Sequence, residues 1–576
     1  MRSEYAGHGV SRGLVLGRAR IREPHALDID RAQVAPAQAE AEIARLHAAI
    51  DTARAELLGV RERLQGELTH EIGEFLDLHG MLLDDPELRS GLDELIRSGH
   101  YTAEYALRLQ RDRLAAVFER MDDHYLRSRV EDLDHVVGRV HAALHASPDD
   151  ALLGMAGEIL VTNLVSPAEL AQIQARGVVA VVTSGGSEHS HAAILARSLH
   201  LPLVVGAHDT LLRINEGDAM LVDGETGQII VEPDAADLRA YHKRRKALAR
   251  ERKALERLRH APSRTRDGVD VRLYANAESV ADVTEAHALG ADGIGLYRTE
   301  FLFLQRAELP DEEEQFRAYR DLVLGMNGRP VTIRTLDIGG DKADASGLAP
   351  RGEPNPALGV RGIRLSLNHP VVFGTQLRAI LRASGYGPVR LLIPMVTARE
   401  EIAAVRALIA RHAERLREEG HAFRPRLPVG TMIEVPAAAL GFSAFADLLD
   451  FASIGTNDLT QYLLAADRDN EALGDLYSPL NPAVLRVLRD VIATGQRRGV
   501  EVSVCGEMAG DPRYVPLLLA LGLTDFSLHP DGLLEVRQAV RAADLAALRR
   551  RAPALLRCRD RSAILRWLSA SEPRSE

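Results

Sequence analysis

The stretch FASIGTND, residues 451–458, is a short apolar run of strand type that ends in a glycine turn and then in two polar side chains, Asn457 and Asp458. Seven other stretches share this form: VRLYANA (271–277), GIGLYRTE (293–300), VTIRTLD (331–337), VRLLIPMV (389–396), VGTMIEVP (429–436), VEVSVCGE (500–507) and TDFSLHP (524–530). Each is too short for a helix, is bounded by turn residues and is followed by a segment of helical composition. Eight strand-helix units in succession predict a (β/α)₈ barrel over residues 263–576.

Working toward the N-terminus, AADLRAYHKRRKALARERKALERLRHAP (235–262) reads as a charged helical linker. Glu251, Glu256 and the Ala and Leu positions interrupt its basic cluster, which favours a solvated connecting helix over a nucleic-acid contact. Strand signals recur at GLVLGRARI (13–21), GEILVTNL (157–164), VVAVVT (178–183), LPLVVG (201–206) and GQIIVEP (227–233). Between the first two lies an Ala-, Leu-, Glu- and Arg-rich segment. Here Ile43, Leu46, Ile50, Ala53, Leu57, Val60 and Leu64 fall at three-four spacing, the seam of a long helix packed against others. LHGMLLDDPEL (78–88) marks a break in it.

The expected architecture is therefore α/β and multidomain. Residues 1–33 and 146–234 form an α/β domain, 34–145 a helical insertion, 235–262 the linker and 263–576 the barrel. A chain of 576 residues suits several domains, and 46% hydrophobic with 27% charged residues is a globular composition. The net charge of −11 argues against general nucleic-acid binding. Two cysteines, Cys505 and Cys558, cannot build a disulfide framework and fit a reducing cytoplasm. Neither a signal peptide nor an apolar run long enough to span a bilayer is evident, so a soluble cytoplasmic protein is expected.

Active sites of (β/α)₈ barrels lie at the C-terminal ends of the strands. Unusual residues collect there: Arg298 after the second strand, Arg334 and Asp337 at the third, Glu434 at the fifth, Asn457 and Asp458 at the sixth, and Cys505 with Glu507 at the seventh. Arg298, Arg334 and the nearby Arg468 can clamp a polyanion, because guanidinium forks bind phosphate and carboxylate bidentately. Glu434 and Asp458 offer two hard oxygen ligands, a number that suits Mg²⁺. A protonated thiol at Cys505 can deliver a proton to carbon, although a small buried residue would look the same.

In the N-terminal half, SGGSEHSHAAILARS (184–198) places His189 and His191 between a buried strand and a helix start. Unpaired backbone N–H groups and the positive end of a helix dipole favour anions there. That context suits a histidine that carries a phosphoryl group, with the polyanion site in the barrel as its donor.

Taken together, GGSEHSHAAILARSL, GADGIGLYRTEFLF, RTLDIGGDK, NPALGVRGIR, IEVPAAA, FASIGTNDLTQYLLAADR and CGEMAGDP resemble enzyme I of the phosphoenolpyruvate-dependent phosphotransferase system, over nearly the whole chain. The resemblance implies autophosphorylation by phosphoenolpyruvate with Mg²⁺, release of pyruvate, and transfer to HPr or an HPr-like carrier. It implies His191 as the phosphoryl carrier, Arg298, Arg334, Lys342, Arg361, Asn457 and Arg468 as substrate ligands, Glu434 and Asp458 as Mg²⁺ ligands, and Cys505 as the acid that protonates C3 of the enolate. The helical insertion resembles the carrier-docking subdomain, the α/β domain the swivelling phosphohistidine domain, and the barrel the dimerising half of a homodimer. Whether such a relay serves sugar transport or regulation is decided by its partners.

Several positions depart from the family pattern: Arg12, Ser187, Glu188, His189 and LHPDG near the eighth strand. The acidic Glu188 mildly disfavours a phosphoryl dianion beside it. Two other readings stand beside the first. One is a relative of phosphoenolpyruvate synthase and pyruvate phosphate dikinase, for whose ATP-binding domain the chain has no room. The other is a low-turnover phosphorylation-state regulatory protein, which nothing in the sequence supports positively.

Overall fold

In this computed structural model the described residues are 2–22, 32–63, 79–119, 133, 134, 136–141, 143, 144, 156–165, 169, 170, 173, 174, 176–186, 191–199, 201–208, 210–303, 308–339, 348, 353, 355–468, 473 and 476–570. The chain divides into two units, 1–249 and 250–576, each with its own core.

The first unit contains one eight-stranded sheet: β1 (Ser3–Ala6), β2 (His8–Ser11), β3 (Leu14–Ile21), β4 (Glu158–Thr162), β5 (Ala180–Thr183), β6 (Leu203–Val205), β7 (Ala219–Asp223) and β8 (Gln228–Val231). Their spatial order is β1-β8-β7-β3-β4-β5-β6-β2, with β3 to β6 parallel and the other pairs antiparallel. Alternating side chains serve two cores. Leu160 and Val181 join a cluster with the inserted helices, while Ile159, Val161, Ala180 and Val182 join the cluster on the opposite face. This explains the unbroken apolar runs in β4 and β5.

Between β3 and β4 lie helices Ala39–Arg63, Pro86–Gly99 and Ala103–Glu119. Ile43, Leu46, Ile50, Ala53 and Leu57 are buried on the first of them, as the three-four spacing requires. The side chains of Val60 and Leu64 lie outside the described residues. The helix over 86–99 starts at a proline behind Asp85, whose carboxylate accepts the Glu87 N–H, so LLDDPEL breaks one helix and caps the next. Ala235–Glu256 is one helix, largely exposed; near its start Tyr241 packs against Leu221 and Ile230. Among the described residues no helix is long and apolar enough to cross a membrane.

All eight strands expected in the second unit are present: β9 (Arg272–Ala277), β10 (Ile294–Tyr297), β11 (Val331–Arg334), β12 (Val389–Ile393), β13 (Val429–Ile433), β14 (Phe451–Ile454), β15 (Glu501–Val504) and β16 (Asp525–Leu528). They form a closed parallel barrel, β16 pairing with β9 from Asp525–Arg272 to Leu528–Ala275. Leu296, Leu392, Met432, Phe451 and Cys505 share one apolar cluster within the barrel. Each large aliphatic or aromatic side chain buried there stabilises the fold by about 1.5–3 kcal/mol. The N-terminal mouth is closed by charge pairing: Arg272 pairs with Asp525 and, at 2.9 Å, with Glu501, while Arg390 bonds Glu501 at 3.1 Å and stacks 3.8 Å over the Phe451 ring. The opposite mouth is built differently.

Candidate active site

At the C-terminal mouth, β11 ends in Arg334, which is buried. Its guanidinium donates to Glu300 Oε1 at 3.0 Å and lies 3.2 Å from Asp337 Oδ2. Asp337 also holds Arg361, with Nη2 at 3.0 Å and Nε at 3.3 Å, and its own N–H donates to Glu300 Oε1 at 2.8 Å. Burial opposes the charge on Arg334 and on Arg361, but the neighbouring carboxylates outweigh it and raise both pKa values. Two cations are thus fixed in place; Arg361 Nη1 also donates to the Tyr462 hydroxyl at 3.5 Å, whereas Arg334 Nε has no hydrogen-bond partner among the described residues.

Across the mouth, Glu434 follows β13 and is fully buried. One oxygen, Oε1, accepts the Met395 N–H at 2.6 Å. The other, Oε2, has no hydrogen-bond partner among the described residues, and the same holds for the buried Oδ1 of Asp458, which lies 3.6 Å from Arg468 Nη1. Burial, with the charges of Asp458 and Asp337 added, pushes Glu434 up to about 8. A buried carboxylate so disfavoured as an anion, with an idle oxygen and a second idle carboxylate oxygen nearby, matches a divalent cation completed by substrate or water oxygens. No cluster of three or more His, Cys, Asp or Glu able to enclose a metal occurs among the described residues, so these two acids by themselves could supply only part of a cation's shell. Gly455 leaves room for it: a Cβ there would stand 3.0 Å from Glu434 Oε2.

Asn457 and Glu507 brace neighbouring strand ends. Asn457 Nδ2 donates to Glu507 Oε1 at 3.1 Å and the Glu507 N–H donates back to Asn457 Oδ1 at 3.0 Å. Gly506 permits this approach, since a Cβ there would lie 1.9 Å from Thr456 Oγ1. Cys505, one residue after β15, is buried with its Sγ 3.6 Å from the Ile454 carbonyl. Burial pushes its thiol up to about 11. The thiol therefore keeps its proton at neutral pH and is a poor nucleophile. Arg298, directly after β10, is half-exposed and ion-paired with Glu278.

The structure therefore brings Arg298, Arg334, Arg361, Glu434, Asn457, Asp458, Arg468 and Cys505 to one end of the barrel. Lys342 lies outside the described residues. In the first unit, β5 ends at Thr183, Gly186 has φ +92°, and His191 opens the helix His191–Ser198; the intervening residues 187–190, His189 among them, and the His191 side chain lie outside the described set. Sequence reading had not singled out Glu278, Glu300 or Met395. Glu300 was visible within YRTE as a further acid at a strand end; Glu278 and Met395 carry no signal until the strands are closed into a ring.

Three family descriptions match the chain: "PEP-utilising enzyme, N-terminal" over residues 6–129, "PEP-utilising enzyme, mobile domain" over 154–227, and "PEP-utilising enzyme, PEP-binding domain" over 252–545. The chain is similar to a phosphoenolpyruvate-protein phosphotransferase of Cupriavidus necator, with 44% identity over 93% of this chain and 94% of that one. It is 41% identical to one of Geobacillus stearothermophilus, over 92% of each chain. A third, of Staphylococcus aureus, is 38% identical over 87% of this chain and 88% of its own.

Proposed function

The chain belongs to the phosphoenolpyruvate-protein phosphotransferase family and is a transferase, and from that premise we propose that it autophosphorylates on His191 from phosphoenolpyruvate, releases pyruvate and passes the phosphoryl group to HPr or an HPr-like carrier. The observation that carries the reading is the mouth of the barrel, where fixed guanidiniums face two carboxylates with idle oxygens.

In this scheme Arg298, Arg334, Arg361, Lys342 and Arg468 bind the phosphate and carboxylate of the substrate, and Asn457, held by Glu507, orients it. Glu434 and Asp458 would hold Mg²⁺, which would supply positive charge to offset the negative charge that develops as the phosphoryl group leaves. A ring nitrogen of His191 attacks phosphorus. The bond from phosphorus to the bridging oxygen breaks, its electron pair going to the enolate, and Cys505 gives its proton to C3 to complete pyruvate. Because Cys505 remains protonated at neutral pH, the donor is ready when the enolate forms.

His191 and the barrel belong to different units, so the scheme requires a swivel, with residues 235–262 as its hinge region. The helices within 34–145 would dock the carrier, and the barrel would form the homodimer. Labelling with ³²P-phosphoenolpyruvate and Mg²⁺ without ATP tests the proposal. Acid-labile, alkali-stable label lost in His191→Ala and kept in His189→Ala is expected. Label that survives in His191→Ala, or none on folded wild type, would overturn it.

A further inference from the structure

The first barrel strand places a carboxylate where an anionic substrate has to compete with it. Glu278 is the residue directly after β9, and Arg298 the residue directly after β10. The two strands are neighbours, and the Arg298 N–H donates to the Ala277 carbonyl at 3.0 Å, so the two side chains leave the same part of the mouth. Glu278 Oε1 takes the Arg298 Nη1 in a close ion pair. The backbone of Glu278 is itself anchored, its N–H donating to Asp282 Oδ2 at 2.8 Å within the capping box of the following helix.

Arg298 differs in this from Arg334 and Arg361. Arg334 and Arg361 are buried and their carboxylate partners, Glu300 and Asp337, are buried with them. Such pairs are structural: breaking one would leave a desolvated charge behind. The Arg298 side chain is 46% exposed and that of Glu278 24%, so their pair forms and breaks in contact with water at small cost. Its charge nevertheless reaches the reaction centre, for Arg298 is among the groups that act on the Cys505 thiol.

We propose that Glu278 is an affinity-setting residue: its carboxylate occupies Arg298 in the free enzyme, phosphoenolpyruvate has to displace it, and the enzyme is thereby held at a weaker substrate affinity than its arginines alone would give. The proposal rests on the reading of Arg298 as a substrate ligand. Glu278 touches no reacting atom in this scheme and acts through Arg298.

The test measures phosphoenolpyruvate binding by calorimetry and KM for pyruvate release, in the full-length chain. Glu278→Gln keeps the shape and removes the charge. It is expected to lower Kd and KM by about 1.5- to fivefold, the range of a partly solvated ion pair, with a smaller effect on kcat. Glu278→Asp, whose shorter arm retracts the carboxylate, should fall between. In an Arg298→Ala background the gain from Glu278→Gln should vanish. A Kd unchanged or raised in Glu278→Gln, with affinity still lost in Arg298→Ala, would overturn the proposal and leave the site reading intact. A gain that persists without Arg298 would also overturn it, because general repulsion would then be the cause. If Arg298→Ala binds as the wild type does, the ligand assignment fails first and the proposal with it.

Discussion

Glu434 accepts the backbone N–H of Met395 at 2.6 Å, and Met395 stands at φ +56°, a conformation that side-chain-bearing residues seldom adopt. The left-handed residue turns its N–H toward the carboxylate, fixing one oxygen and leaving the other idle. The strain is local and sits at the site.

Removal of Glu434 should stop Mg²⁺-dependent chemistry and alter stability in opposite directions depending on pH. Its folded pKa, about 8, exceeds the ordinary 4.5. Its contribution is therefore complete below about pH 4.5 and is lost as pH rises through about 8. In chelator, thermal melts of the wild type should fall across this window more steeply than those of Glu434→Gln, and Mg²⁺ should raise the wild-type melt only. Label from phosphoenolpyruvate should disappear in the variant and, for the wild type, in excess chelator.

Gly455→Ala directs a methyl to 3.0 Å from Glu434 Oε2 and 3.1 Å from its Cβ. A displaced ligand oxygen should cost about 10–100-fold in apparent Mg²⁺ affinity, read from the metal dependence of pyruvate release.

Cys505→Ala should slow pyruvate formation by about 10²–10⁴, the usual worth of a placed acid, and should randomise the face on which solvent deuterium enters the methyl group. With the thiol pushed up to about 11, iodoacetamide should reach Cys505 slowly at pH 8 and faster above pH 10.

Arg537 is buried and donates to four carbonyls, those of Leu258, Arg259, Leu289 and Gly290, at 2.7–2.9 Å, and to Ser263 Oγ at 3.1 Å. It ties the segment entering the barrel to the loop after the first barrel helix. Arg537→Met leaves these acceptors unsatisfied and should cost more than about 3 kcal/mol in chemical denaturation, with Arg537→Lys intermediate.

The barrel was legible because every strand carries a compact apolar run bounded by turn residues, and because its chemistry stands at fixed offsets from those runs, as in Glu434 one residue past Ile433. Strand β7, AMLVD, was passed over although Gly-Asp precedes it and a four-residue turn with two glycines separates it from QIIV, a hairpin signal of ordinary strength. Partners across the ring were beyond reach. Glu300 and Arg334 meet only when β10 and β11 pair, and Arg361 and Asp337 only when the long connection after β11 folds back on itself.

The two outer strands of the N-terminal sheet, β1 and β2, are consecutive in the chain and joined by Gly7 alone, whose N–H reaches the Gly227 carbonyl at 2.9 Å. A Cβ at Gly7 would come within 2.7 Å of both Val204 and Val205, so the bend admits no other residue without a shift. One short ribbon thus guards both borders of the sheet. Were it peeled away, two rows of unpaired amides and carbonyls would be bared together, each a template for a foreign strand. Protection from aggregation in this half of the molecule is thereby entrusted to its first eleven residues.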